Sequence, residues 1–194
     1  MRLLGKALSG LGIVLSIACT TASSEVAEKE PASESTPDTS VIGFVLLDSL
    51  DFVTHGKHFS IAVLRSVEEE REELPYRWEG ARPFLLYERM SDGRRVLQMR
   101  NDSIILCRTC GGVFGEPYEG IEFKDDTLLI RHYGGSSWRW AIMQWFVPGA
   151  DYSWPLVRRR EINYSVFDPD STMEVDAAMP ERPAALGTWN NYDR

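Results

Sequence analysis

Ser103 to Val147, SIILCRTCGGVFGEPYEGIEFKDDTLLIRHYGGSSWRWAIMQWFV, is the stretch whose reading decides the fold. It holds three of the chain's six tryptophans, a close cysteine pair and two glycine-rich blocks. Trp138 to Val147 alternates. Trp138, Trp140, Ile142, Gln144 and Phe146 face one way, and Arg139, Ala141, Met143, Trp145 and Val147 the other. Both faces are largely apolar, which predicts a central strand covered at least partly on both sides. Upstream, Gly120–Phe123 and Thr127–Tyr133 read as a hairpin around Lys124-Asp125-Asp126. Gly134-Gly135-Ser136 is the next turn, and Ser103–Leu106 is a short strand leading into the cysteines.

Outward from this stretch the same pattern repeats. Pro83–Met90 and Arg95–Arg100 are strand-like runs joined by Ser91-Asp92-Gly93-Arg94. Asp-Gly between apolar runs is a hairpin signal, because glycine accepts the positive φ that a tight turn needs. Val41–Leu47 and Phe59–Leu64 read as strands, with Asp48 to His58 a loop between them. Ser66–Arg82, with its run of glutamates, reads as a solvated loop or short helix stopped by Pro75 and Gly80. After Pro148–Asp151, Tyr152–Arg158 carries Pro155, which suggests an edge or a bulge. Glu161–Phe167 adds a strand and Asp168-Pro169-Asp170 breaks it. Ser171–Arg194 reads as an extended tail with Trp189 as an anchor. No useful helical period follows residue 40. The expectation is an all-β domain over residues 41–170, an antiparallel meander forming a sandwich or half-barrel, then a tail over 171–194.

The front of the chain reads as an address. Arg2 and Lys6 precede the apolar run Ala7–Ala18, which is too short to span a bilayer. Residues 1–18 are therefore expected to be an export signal. Leu15-Ser16-Ile17-Ala18-Cys19 resembles the lipobox of bacterial lipoproteins, which implies a lipid on Cys19; cleavage after Ala22 is the alternative. Residues 19–40 are rich in Ser, Thr, Glu and Pro and lack any aromatic, so a disordered tether of roughly 25 Å is expected. The net charge of −8 argues against nucleic acid as a partner. The membrane is reached through lipid, and an envelope protein or a glycan is the expected partner. Nothing in the sequence speaks to oligomeric state.

Cys107-Arg108-Thr109-Cys110 admits three readings. A redox pair needs a helix behind the first cysteine, and zinc needs two more ligands. A structural disulfide across a glycine-rich turn is the reading favoured in an oxidising compartment. His132, Tyr133, Ser136, Trp138 and Trp140 form a candidate binding rim, with hairpin geometry and core tryptophans as the alternative. Glu116 and Glu119 flank Tyr118, and Arg158-Arg159-Arg160 is either an exposed strand end or a contact for an acidic partner. No catalytic residue, metal ligand or cofactor is assigned.

The blocks CRTCGGVFGEPYEGIEF and LLIRHYGGSSWRWA resemble those of a family of uncharacterised bacterial lipoproteins and secreted proteins. Its relatives share C-x-x-C-G-G-V-x-G-x-P-[FY]-x-G-I and H-Y-G-G-S-x-W-R-W over roughly residues 83–157. Their acidic loops are similar to calcium loops of FG-GAP repeat proteins; this chain keeps only Asp48 and Asp51 there. The resemblance implies the compartment and a β-rich fold, but no activity. Two functions are expected: a non-catalytic, lipid-anchored binding or scaffold protein, or an envelope hydrolase of glycan or peptide using His132 with Glu116 or Glu119.

Overall fold

A computed structural model describes residues 43–70, 80–149, 151–176 and 184–192. The leader, Cys19, the tether, Val41, the later part of the glutamate run and part of the tail lie outside the described residues. Nine strands follow in order: β1 Phe44–Thr54, β2 Lys57–Ser66, β3 Phe84–Arg89, β4 Arg95–Asn101, β5 Tyr118–Lys124, β6 Thr127–Gly135, β7 Trp138–Phe146, β8 Leu156–Ser165 and β9 Asp168–Asp176. They form two antiparallel sheets, β1-β2-β3-β4 and β5-β6-β7-β8-β9, each strand paired with its sequence neighbour. This is the expected all-β meander. A single 3-10 turn, Val67–Glu70, is the only helical element among the described residues.

The sheets share one core. Phe59, Ile61 and Val63 of β2 and Phe84 and Leu86 of β3 meet Leu128 and Ile130 of β6 and Phe146 of β7. The alternation on β6 and β7 produces this directly, since every second side chain points inward. Each of these side chains contributes about 1.5–3 kcal/mol through burial. β2 is buried on both faces, because Ala62 and Leu64 pack with Leu85 on the far side. β7 lies mid-sheet as expected, with Ile142, Gln144 and Phe146 buried and its opposite face half-buried.

The meander gives the sandwich two unlike ends. One carries the tight turns at His55-Gly56 and Asp125-Asp126 and the connection 147–155. Thr54 Oγ1 donates to Asp126 Oδ1 across it (3.0 Å). The other end carries Val67–Glu70, residues 80–83, the connection 102–117 and the β6–β7 turn.

Several expected boundaries move. Asp48 to Asp51 is strand, not loop: β1 runs through it with a bulge between Leu46 and Asp48. Its acidic residues find partners, Asp48 accepting from Tyr118 Oη (2.8 Å) and Asp51 from Ser60 Oγ. Ser103–Leu106 is not a strand; it is irregular and buried. The two expected strands around Pro155 are one strand, β8, inside the sheet, with Pro155 just ahead of it. Asp168-Pro169-Asp170 starts β9 instead of breaking the domain, so the domain extends past residue 170. The expected tail also contributes Leu186, fully buried, and Trp189, packed against the core.

Candidate functional site

The connection end is built around the irregular segment Ser103 to Cys107. Ile104, Ile105 and Leu106 bury their side chains, and buried backbone polar groups must be paired. Side chains from elsewhere pair them. Asn101 Oδ1 accepts from the amides of Ser103 and Ile104 (2.7 and 3.0 Å). Asn191 Nδ2 donates to the Ile104 carbonyl (2.5 Å). His132 Nε2 accepts from the Leu106 amide (3.3 Å), and Arg82 Nη1 donates to the Leu106 carbonyl (3.1 Å). Tyr192 Oη accepts from the Cys107 amide (2.9 Å).

Arg82 is fully buried and sits between two carboxylates. Its Nε and Nη2 donate to Glu69 (3.0 and 2.6 Å to Oε2), and Nη1 and Nη2 donate to Glu116 (2.6 and 2.5 Å). Burial alone would weaken its protonation, but Glu116 and Glu69 outweigh this and hold it charged. Glu69 belongs to the run expected to be solvated, yet it is fully buried. The sequence held no signal for this triad, because Glu69 and Arg82 lie thirteen residues apart and Glu116 comes from a different connection.

His132 is 1 % exposed. Burial first, then the charge of Arg82, lower its pKa to about 3. With Nε2 accepting, the neutral ring carries its proton on Nδ1, which has no partner among the described residues. No carboxylate bonds to it. Glu116 is held by Arg82, and Glu119 is exposed.

The two glycine blocks meet backbone to backbone. Gly135 N donates to Gly111 O (2.8 Å), Val113 N to Gly135 O (3.2 Å) and Gly111 N to Gly115 O (2.9 Å). A Cβ on Gly134 would lie 2.5 Å from Trp140 Cζ2 and 2.8 Å from Gly111 Cα. These glycines admit the protein's own chain. Cys107 and Cys110 stand at disulfide distance with Cα atoms 5.1 Å apart, and the turn behind them continues into the glycines without a helix.

The rest of the candidate rim is divided. Tyr133 shares a hydrogen bond with Tyr164 (3.0 Å), and Phe114 sits beside it under the Arg139 guanidinium (3.8 Å). Ser136 lies in the turn and donates its amide to Trp138 O (2.8 Å). Trp138 is 54 % exposed, whereas Trp140 is half-buried against Gly134. Arg158, Arg159 and Arg160 pair with Asp176, Glu161 and Glu174.

The hairpin end holds a cavity that sequence reasoning missed. It has a volume of about 390 Å³ and is walled by Phe59, Trp154, Pro148 and Tyr152, with Thr54, His55 and Lys57 at its rim. Behind the walls, Phe52, Phe59, Phe123 and Trp154 form one aromatic cluster with ring centres 4.1–6.4 Å apart. Lys57 Nζ donates to Tyr152 Oη and lies 3.3 Å from Glu88 Oε1. Tyr152 Oη donates to Glu88 Oε2 (2.8 Å), and Gln98 Nε2 donates there too (3.2 Å). The bond to Tyr152 leads the interactions that raise the Lys57 pKa, so the ammonium persists. Tyr152 takes φ 61°, a left-handed conformation rare for a bulky residue. Only its aromatic composition hinted at the cavity; the walls come from stretches about ninety residues apart along the chain.

Among the described residues no three His, Cys, Asp or Glu side chains are grouped to hold a metal ion. Comparison of the chain with protein-family models, curated proteins and solved structures finds no match.

Proposed function

We propose that this chain is a non-catalytic binding or scaffold protein of the cell envelope, exported and held at a membrane through lipid on Cys19. The observation that supports a non-catalytic role is the position of His132. A general base must reach a substrate proton, and this imidazole is walled in with Nε2 on a backbone amide. Its two prospective carboxylate partners serve elsewhere or stand apart from it. The aromatic cavity at the hairpin end supports binding, since ligand sites are concave, mostly apolar and edged by a few polar groups. The envelope assignment rests on the leader, the tether and a cysteine pair suited to an oxidising compartment.

Fractionation of expressing cells tests the anchor. The wild-type chain is expected in the membrane pellet and the Cys19→Ala chain in the soluble fraction; membrane retention of the variant would overturn the lipid anchor. Fluorogenic glycan and peptide substrates test the rest. No turnover is expected. Turnover that disappears in a folded His132→Gln protein would establish the hydrolase instead.

A further inference from the structure

We infer that the cavity at the hairpin end is a binding site for a small amphipathic organic anion, a flat apolar body carrying a carboxylate-type head. This rests on the binding role proposed above and names its ligand class. The walls set the body. Pro148 and Tyr152 supply the reachable apolar surface, with Phe59 and Trp154 closing the floor at 6 % and 1 % exposed, and the volume of about 390 Å³ suits a ligand of one or two fused rings.

The rim sets the head. Lys57 and His55 line the cavity, and no carboxylate does. Glu88 offsets the Lys57 charge from 3.3 Å away, so what the rim presents is a hydrogen-bond donor more than a net charge. Glu88 is buried behind the rim, where it takes hydrogen bonds from Tyr152 and Gln98. An ammonium has three N–H donors. Lys57 directs one to Tyr152 Oη and one to Glu88, which leaves the third for an anion. The Lys57 side chain is 44 % exposed, so that donor is reachable. The Tyr152 hydroxyl gives its proton to Glu88 and its lone pair to Lys57, so it holds the ammonium in place. A cationic head would find no acceptor on the Lys57 ammonium, which can only donate.

The test uses three molecules with one body: 2-naphthoate, 2-naphthalenemethanol and 2-naphthylmethylammonium. Each is titrated calorimetrically into the exported Cys19→Ala chain, which carries no lipid to compete for the cavity. Naphthoate is expected to bind about tenfold more tightly than the alcohol, as one charge-assisted hydrogen bond allows, and the ammonium most weakly. Lys57→Met should bring naphthoate to the level of the alcohol and leave the alcohol within about twofold, because the apolar walls are untouched. Lys57→Arg should restore part of the preference. Equal affinity for all three, or tightest binding of the ammonium, overturns the anion assignment and leaves a binding cavity. Failure of all three to bind at millimolar concentration overturns both the ligand class and the cavity's role.

Discussion

The two ends of the sandwich divide structure from accessibility. The connection end carries most of the conspicuous motifs: the cysteine pair, both glycine blocks, the lone buried histidine and the glutamates. There most of the buried polar groups, His132 Nδ1 excepted, are consumed by one another and by the backbone of Ser103 to Cys107. The hairpin end carries only turn signals and the Arg158–Arg160 cluster, yet it holds the aromatic cavity with a reachable ammonium. A conspicuous residue pattern can thus reflect a difficult piece of folding. At Gly112 and Gly134 a Cβ would run into the backbone of the other block, and at Gly111 and Gly135 into the backbone of their own turns.

If that division holds, changes at the connection end cost stability and changes at the hairpin end cost binding. Arg82→Met should show the largest effect. It strands Glu69 in the interior, and removing one partner of a buried ion pair costs about 3–5 kcal/mol. Denaturant unfolding would measure it; a loss below about 1 kcal/mol would mean that the triad does not hold this end. Gly134→Ala comes next, at about 1–3 kcal/mol, because its new methyl meets the Gly111 backbone. Gly93→Ala at the other end is the control. Nothing lies within 4 Å of its Cβ, so only its φ of +83° opposes the change, about 1 kcal/mol.

Replacing both Cys107 and Cys110 by alanine should cost no more than about 2 kcal/mol, since the bridged loop is so short. Thermal unfolding with and without reductant checks this. Acid should act through His132. The unfolded imidazole takes up a proton near pH 6.5, the folded one only near 3. Its contribution is therefore complete above pH 6.5 and falls on acidification by about 1.4 kcal/mol per pH unit. His132→Gln should flatten that part of the stability profile while lowering its plateau. The smallest effect belongs to Lys57→Met, which removes one partner of Glu88 but leaves it the hydrogen bonds from Tyr152 and Gln98, so the unfolding midpoint should fall only slightly while ligand preference alters. A large drop in the midpoint would break the comparison, because the hairpin end would then be structural as well.

Much of the fold was legible because neighbouring strands pair and their patterns are local. Thr127–Gly135 and Trp138–Phe146 alternate with the pleat, the turn at Asp125-Asp126 sets off the first of them, and Asp92-Gly93 marks the hairpin of β3 and β4. Asp48 and Asp51 misled because acidic residues look like loop unless their partners are known, and Tyr118 lies 70 residues away. Asp168-Pro169-Asp170 misled because it lies at the start of a strand, where a proline needs no partner for its nitrogen. The candidate site was less legible. The aromatic cavity joins Phe59 to Trp154, and the charge compensation of Arg82 joins Glu69 to Glu116; neither leaves a periodic trace.

Within each sheet a strand can zip onto the one before it as the chain lengthens, because every pairing joins sequence neighbours. Ser103 to Cys107 needs more distant partners. Asn191 and Tyr192, which satisfy it, stand 85 to 87 residues further along. Loop closure makes such contacts late ones. A stretch belonging to no strand therefore acts as a latch, and until it clicks shut all nine strands can be paired around an unsealed interior.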